Sequence, residues 1–315
     1  MAKQPPIRIG TRASRLAQTQ SRLMQARLAA AVGPGEGADQ VAPLVLITTS
    51  GDRIQDRRLL EAGGKGLFVK ELEEALLDGR IDCAVHSLKD VPAELPPGLV
   101  IGAIPEREDP RDALISQGDA LLDELPAGAR IGTASLRRQA QILFRRADLK
   151  IEMLRGNVET RLRRLDEGGF DAIVLAMAGL KRLGLDGRVS ELLDPVQAPP
   201  APGQGALAIE VRAEDQGVPW LAALHHAPTA LAVAAERGAL QALEGSCRTA
   251  IGAYARFDDT GRLALTVEAL SPDGRARFRR QGELDAAAVE AAAFELGLRL
   301  GRQIRQEAGD RIVWA

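Results

Sequence analysis

Cysteine and histidine are scarce in this chain, which has two cysteines and three histidines among 315 residues. So few cysteines cannot form a disulfide framework, although one bridge between Cys83 and Cys247 is compatible with the sequence. The small number of these side chains also leaves no metal site of familiar spacing, and we expect no bound metal. The sequence therefore excludes the small domains that depend on disulfides or zinc for their stability.

Charge excess, aromatic residues and long apolar runs are missing as well. Lys and Arg total 41 and Asp and Glu total 43, so the net charge of -2 lacks the basic excess typical of nucleic-acid-binding proteins. Aromatic residues make up 3% of a chain that is 45% hydrophobic, which predicts aliphatic cores. No run approaches the length of a membrane span, and residues 1–10 include no apolar signal region. We therefore expect a cytoplasmic protein that binds neither nucleic acid nor membrane.

Strand and helix patterns alternate along much of the chain, and they repeat. The segment RIGTRAS at 8–14 precedes a helical pattern, and RIGTAS at 130–135 precedes another. A glycine turn and one Asp lead into an apolar strand both at 79–86 and at 169–176. Repeated βα units of this kind form doubly wound, mainly parallel sheets. The sequence thus predicts two α/β lobes like those of periplasmic binding proteins.

The two predicted lobes are connected twice. A stiff, proline-rich stretch at 195–202 leads to an apolar strand at 206–211, which we interpret as a return of the chain to the first lobe. Antiparallel strand patterns then predict a small α+β domain with a three-stranded sheet. Two crossovers favour a hinged protein with a ligand cleft between its lobes. The predicted domains are lobe 1 at 1–105 and 203–226, lobe 2 at 106–202, and the α+β domain at 227–315.

The stretch IDCAVHSLKDVP at 81–92 changes abruptly from apolar to polar. Its first half is typical of a buried strand, and Pro92 ends any regular continuation. Lys89 and Asp90 would then lie at the carboxyl end of a strand, where open α/β sheets bind their ligands. Taken alone, the pair is more typical of a solvated ion pair on a surface turn, so the rest of the chain must decide.

Arginines recur near strand ends in both predicted lobes. Arg12 lies between the first strand and its helix, Arg137 and Arg138 lie at the equivalent point of the second lobe, and Arg155 ends a later strand, followed by Arg161. Helix N-termini attract anions, and arginine adds bidentate recognition of carboxylates. Any single one of these arginines is more typical of solvated surface charge. Together they favour a polyanionic ligand.

Loop and helix-start residues add further candidates. Ser14 and Ser135 are candidate N-caps whose hydroxyl groups can also contact a ligand. The segment GGKG at 63–66 lacks the full phosphate-loop pattern, and we interpret it as a mobile flap. Cys83 lies in an apolar strand and is interpreted as an inert core residue. Cys247 lies in a loop beside a cation, where a thiol is more often deprotonated and reactive.

The chain resembles the porphobilinogen deaminase family (hydroxymethylbilane synthases) along essentially its whole length. Eight segments, which occur in the following order, carry this resemblance. They are RIGTRASRLA at 8–17, TTSGD at 48–52, GGKGLFVKELE at 63–73, DCAVHSLKDVP at 82–92, GTASLRRQAQ at 132–141, LRGNVETRLRRL at 154–165, APGQGALAIE at 201–210 and EGSCRTAIGAYA at 244–255.

The resemblance implies a reaction of tetrapyrrole biosynthesis, the pathway type that leads to haem and chlorophyll. Four porphobilinogen molecules are joined head to tail with loss of ammonia, which gives linear hydroxymethylbilane. A dipyrromethane cofactor serves as primer and is attached through a thioether to the cysteine that matches Cys247. The catalytic aspartate matches Asp90. The resemblance further assigns the binding of carboxylate side chains to Arg12, Ser14, Lys89, Ser135, Arg137, Arg138, Arg155 and Arg161, and substrate-pocket packing to Phe68 and Gln204.

The chemistry of such a reaction agrees with these assignments. Attack by a pyrrole creates positive charge on the pyrrole nitrogen, which an ionised carboxylate such as Asp90 stabilises. The chain departs from the family pattern at Ala250, where proline is common, and at Ser50, where arginine is common; the first change makes the cysteine loop less rigid.

Two other functions remain open at this point. A hinged two-lobed fold also suits a non-catalytic solute-binding protein, and a catalytically inactive relative could serve as a partner-binding module. We expect a monomer that takes porphobilinogen as its small-molecule substrate and hands its product to the next enzyme of the pathway.

Overall fold

The computed structural model describes residues 5–49, 69–243, 249–285, 287–312 and 314. Within these ranges the strands are β1 (Ile9–Arg12), β2 (Leu44–Ile47), β3 (Cys83–Ser87), β4 (Leu99–Ala103), β5 (Asp112–Ser116), β6 (Arg130–Gly132), β7 (Lys150–Glu152), β8 (Ala172–Ala176), β9 (Glu191–Leu192), β10 (Leu207–Arg212), β11 (Ala250–Phe257), β12 (Leu263–Leu270) and β13 (Arg277–Leu284). The α-helices are α1 (Arg15–Val32), α2 (Ala38–Val41), α3 (Lys70–Leu77), α4 (Leu136–Arg145), α5 (Val158–Asp166), α6 (Met177–Leu183), α7 (Ala227–Ala242) and α8 (Glu290–Ala308). The chain separates into two compact units.

The first unit takes the described residues within 1–57, 65–107 and 206–230 and contains a five-stranded sheet of order β2-β1-β3-β10-β4. In this sheet β1 is parallel to β2 and β3, whereas β10 is antiparallel to its neighbours β3 and β4. The predicted return of the chain to the first sheet is therefore confirmed, because β10 is inserted between strands that precede it by more than 100 residues.

Both faces of this sheet are covered, since its strands are apolar on both sides. Met24 of α1 shares a core with Cys83 and Val85 of β3 on one face. Leu72 of α3 shares a core with Ala84 on the other face. Consecutive residues of β3 thus point toward different helices, as the alternation of a strand requires.

The second unit takes the described residues within 108–205 and 231–315. Its five-stranded sheet has the order β7-β6-β8-β5-β9, with β6 parallel to β7 and β8, and with β5 antiparallel to β8 and β9. Each large sheet therefore has one strand that runs opposite to the others. The parallel strands place their carboxyl ends along one edge, where polar side chains can gather.

A three-stranded antiparallel sheet of order β11-β12-β13 belongs to the same unit. Residues of α7 and α8 form one apolar core with it. The two helix backbones approach closely: an added Cβ at Gly238 would lie 2.0 Å from the Phe294 carbonyl oxygen, and one at Gly297 would lie 1.9 Å from that of Ala235. Glycine is needed at both positions because any side chain would push the helices apart.

The predicted fold class is confirmed, with two mainly parallel α/β sheets and a small antiparallel sheet. One strand, β5 at Asp112–Ser116, is not predicted by the sequence pattern. A short apolar run directly after a proline-containing crossing carries too little periodicity to reveal a strand. The three-domain division stays a prediction.

Candidate active site

The polar residues predicted at the end of a buried strand follow β3. The strand continues as one turn of 3-10 helix, Leu88–Asp90. Leu88 is buried, and its backbone N–H donates to the Ala206 carbonyl oxygen at 3.0 Å. Lys89 and Asp90 are only half-buried. The turn is therefore anchored by an apolar residue and presents its charged side chains at the carboxyl edge of the sheet.

The end of β1 lies beside the end of β3, because the two strands are parallel neighbours. Ser14 caps α1, and its Oγ accepts a hydrogen bond from the Ala17 N–H at 3.4 Å. Gln20 of α1 donates to Oγ of Ser87 at 2.8 Å, which ties the helix to the end of β3. The first unit thus gathers four predicted site residues at one edge: Arg12, Ser14, Lys89 and Asp90.

In the second unit, Arg137 and Arg138 bind one carboxylate, that of Asp112. Arg137 Nη1 donates to Oδ2 at 2.6 Å, and Arg138 Nε and Nη2 donate to Oδ1 at 3.0 and 2.8 Å. All three side chains are buried. Burial raises the pKa of Asp112, but the two guanidinium groups outweigh it and hold that pKa well below its ordinary value. Asp112 is therefore ionised at neutral pH, and its carboxylate fixes the positions of both arginine side chains.

Gln204 completes this network. Its Nε2 donates to Asp112 Oδ1 at 2.9 Å and to the Pro110 carbonyl oxygen at 2.8 Å. Arg138 Nη1 donates to the Val174 carbonyl oxygen at 2.9 Å, so every nitrogen of this guanidinium group has an acceptor. Gln204 holds the network in place, and its predicted contact with substrate stays a prediction.

Arg137 and Arg155 of the second unit keep donors for a ligand. All hydrogen bonds of Arg137 within the described residues come from Nη1, which leaves Nε and Nη2 available. Arg155 follows β7, and its Nη1 is buried with no hydrogen-bond partner in the described part of the chain. A ligand carboxylate is the group that best completes the donors of Arg137 and Arg155. Arg161 Nε donates to the Gly156 carbonyl oxygen at 2.8 Å.

These donors share one edge of the second large sheet. β7 and β8 both run parallel to β6, so the residues that follow the three strands lie along the same edge. Ser135 follows β6 and caps α4 by accepting a hydrogen bond from the Arg138 N–H at 3.4 Å, as predicted. The predicted residues of the second unit therefore come together around the carboxyl ends of β6, β7 and β8.

Two residues of this edge were missed by the sequence reasoning, Asp112 and Arg182. Arg182 Nη2 donates to the Gly205 carbonyl oxygen at 2.7 Å, and its Nε is buried with no partner within the described residues. Burial lowers the pKa of Arg182 to about 10. A signal existed for Asp112, since a charged residue at the start of an apolar strand requires a partner once it is buried.

Three predicted features lie outside the described residues: Cys247, Phe68 and the glycine-rich segment at 63–66. Cys83, in contrast, is a buried free thiol in the core of the first unit, as predicted. Burial raises the pKa of that thiol well above its ordinary value, so Cys83 is not a reactive group.

The fold and these side chains together define a class of protein: an α/β protein whose sheet edges carry arginines for an anionic, carboxylate-bearing ligand. Comparison with known families then identifies the family. Residues 7–219 match "Porphobilinogen deaminase, dipyromethane cofactor binding domain", and residues 230–306 match "Porphobilinogen deaminase, C-terminal domain". The chain belongs to the porphobilinogen deaminase family.

Full-length relatives agree with this membership. The porphobilinogen deaminase of Phenylobacterium zucineum is 62% identical over 320 residues, which cover 99% of this chain and 100% of the relative. That of Caulobacter vibrioides is 62% identical over 99% of both chains. That of Ralstonia nicotianae is 50% identical over 96% of this chain and 90% of the relative.

A solved periplasmic sulfonate-binding protein, SsuA of Methylobacillus flagellatus, is similar to this chain at 13% sequence identity and a TM-score of 0.39. The match covers 78% of this chain and 69% of the solved chain.

The predicted family, the enzyme class of transferase and the dipyrromethane cofactor are confirmed by these matches. The alternative of a non-catalytic solute-binding protein is not favoured. The second unit fits a carboxylate-bearing cofactor, because the buried Nη1 of Arg155 and the buried Nε of Arg182 lack partners among the described residues.

The part of the chain that the structure describes lacks two features. No helix there is long and apolar enough to cross a membrane. No group of three or more His, Cys, Asp or Glu side chains there could hold a metal ion.

Proposed function

We propose that this chain is a hydroxymethylbilane synthase, which joins four porphobilinogen molecules head to tail and releases one ammonia for each. The observation that carries the proposal is family membership over nearly the whole chain together with Asp90 at the carboxyl end of β3. The arginine-rich edge of the second unit adds support, since each added pyrrole unit brings two further carboxylates.

Asp90 is the catalytic carboxylate of this proposal. Its half-buried position at a strand end gives a ligand access to it while reducing competition from bulk water. When one pyrrole attacks the next unit, positive charge develops on a pyrrole nitrogen. An ionised carboxylate in that position stabilises the charge and can accept the proton that is lost.

The arginines bind and orient the carboxylates of substrate and growing chain. Arg155 and Arg137 are the strongest candidates in the second unit because donors of both are available. Arg138 acts differently, since its nitrogens are engaged with Asp112 and the Val174 carbonyl. We assign it the task of fixing the loop ends around the site. Arg12, Ser14 and Lys89 serve the ligand from the edge of the first unit, and Arg161 and Ser135 serve it from the second.

Cys247 carries the dipyrromethane cofactor in this proposal. The other cysteine, Cys83, is excluded by its burial in the core. When bound, dipyrromethane supplies the terminal pyrrole to which the first substrate unit is joined. Phe68 packs beside the substrate pyrrole. The protein acts in the cytoplasm as a monomer and passes its product to the next enzyme of the pathway.

The proposal is tested by incubating the purified protein with porphobilinogen and measuring ammonia and linear tetrapyrrole. We expect one ammonia per porphobilinogen consumed and a product with four pyrrole units. Binding of porphobilinogen without release of ammonia would favour a solute-binding protein or an inactive relative instead.

A further inference from the structure

Three ionisable side chains are buried together beneath α3 in the first unit. Glu73 lies on α3, His86 on β3 and Glu210 on β10. Glu210 is the cross-strand partner of Ala84, and Ala84 belongs to the core shared with α3. His86 is two residues further along β3 and therefore points to the same face.

One contact is formed inside this cluster, and two of its carboxylate oxygens have no hydrogen-bond partner among the described residues. His86 Nε2 lies 2.9 Å from Glu210 Oε2, and their side chains are 3% and 2% exposed. Glu210 Oε1 and Glu73 Oε1 are both buried, and neither has a hydrogen-bond partner among the described residues. Two buried carboxylates beside one imidazole carry more negative than positive charge when all three are ionised. Such a group is stabilised by one additional proton.

The electrostatics of Glu73 agree with this proton count. Burial raises the pKa of Glu73 to about 7, repulsion by Glu210 adds to the rise, His86 opposes it, and Glu74 contributes last. Glu73 therefore changes its protonation near neutral pH, where the enzyme of the proposed function would work.

The other charged groups on the elements around the cluster have different positions or partners. On α3, Lys70 and Glu74 are exposed and pair with each other. On β10, Arg212 Nη1 donates to the carbonyl oxygens of Leu76 and Ile81. The remaining charged residues of the packed elements are Glu71 on α3 and Arg12 on β1, and β4 contributes no ionisable side chain.

We propose that Glu73, His86 and Glu210 are positioning residues that, while Glu73 holds a proton, clamp α3 against β3 and fix the turn that carries Asp90. The proposal rests on the proposed catalytic role of Asp90. The mechanical link is short, because His86 is four residues before Asp90 and the turn between them is anchored by the buried Leu88. Loss of the proton places a net negative charge in the buried cluster, which weakens the clamp as the pH rises through neutrality.

Glu73→Gln tests the clamp because the amide imitates the protonated carboxyl group. The matched control is Glu74→Gln, the same change one residue further along α3 at an exposed position. We measure kcat and KM for porphobilinogen between pH 6 and pH 8.5. The compared quantity is kcat at pH 8.5 divided by kcat at pH 6.5. This ratio should be about threefold higher in Glu73→Gln than in the wild type, with KM unchanged. Glu74→Gln should keep the wild-type profile. Identical pH profiles for Glu73→Gln and the wild type would overturn the proposal.

A measurement without turnover separates this proposal from the proposed function. The chain has three histidines, so the ring resonances of His86 can be assigned by NMR with one substitution. In the wild-type holoprotein these resonances should change position as Glu73 loses its proton near pH 7, and Glu73→Gln should remove that change. The same pH dependence of the resonances in both proteins contradicts the proposed proton on Glu73 even if the enzyme is active. A protein that shows the change but forms no tetrapyrrole keeps the cluster and refutes the proposed function.

Discussion

Arg138 donates two hydrogen bonds to a single oxygen of Asp112, from Nε at 3.0 Å and from Nη2 at 2.8 Å. Both side chains are buried, and Arg137 binds the second oxygen of the same carboxylate. Removal of one partner of such a buried ion pair is strongly destabilising, because it leaves an uncompensated charge. Asp112 thus determines the position of two arginines that sequence reasoning assigned directly to the ligand.

Asp112→Asn should destabilise the second unit severely. The change leaves two buried guanidinium groups beside a neutral amide, which lowers the free energy of unfolding by about 3–5 kcal/mol. Urea unfolding followed by circular dichroism measures it. The control is Asp123→Asn, which removes the exposed partner of Arg145 and should cost below about 1 kcal/mol. Equal losses in the two variants would contradict the assigned importance of the buried network.

Arg155→Leu should weaken ligand binding more than it weakens the fold. The buried Nη1 has no partner among the described residues, so its removal leaves no protein acceptor unsatisfied there. Loss of one charge-assisted interaction with a ligand carboxylate reduces kcat/KM by about 10- to 100-fold. Arg163→Leu, on the exposed side of α5, should change kcat/KM by less than about twofold. A similar decrease in both variants would remove Arg155 from the binding site.

The stability of the wild type should depend on pH through Glu73. Its pKa of about 7 in the folded protein exceeds the ordinary value of 4.5, so the folded state binds more protons between these values. The free energy of unfolding therefore falls as the pH rises from 4.5 through 7. We compare the free energy of unfolding of Glu73→Gln with that of the wild type at each pH. The difference, variant minus wild type, should be larger at pH 8 than at pH 5 by about 1–2 kcal/mol. A difference that is constant between pH 5 and pH 8 in urea unfolding contradicts the shift.

Asp90→Asn should retain the fold and lose turnover. Removal of an ionised group that stabilises developing charge reduces kcat by about 100- to 1000-fold. KM for porphobilinogen should change less than about threefold, because the arginines bind the carboxylates. Glu94→Gln, an exposed change shortly after the turn, provides the control. Near-normal turnover of Asp90→Asn would remove this residue from the mechanism.

Periodicity and strand-end reasoning predicted the elements that carry the site, because long apolar strands and N-capped helices depend on local sequence. Ser14 and Ser135 cap their helices as expected, and the turn at Leu88–Asp90 follows its strand. The partners of Arg138 could not be predicted, since Asp112 and Gln204 are far from it in sequence and meet it only through sheet order. The contact between His86 and Glu210 could not be predicted for the same reason, because the two residues are far apart in sequence. The hinge, the cleft and the roles of the site residues stay predictions.

The central claim is that Cys247 carries a dipyrromethane group in a working hydroxymethylbilane synthase, and the intact mass of the purified protein tests it most directly. The wild type and Cys83→Ala should both exceed their sequence mass by one dipyrromethane unit. Cys247→Ser should have its sequence mass alone and form no tetrapyrrole. A wild-type mass equal to the sequence, or an adduct that persists in Cys247→Ser, would contradict the account.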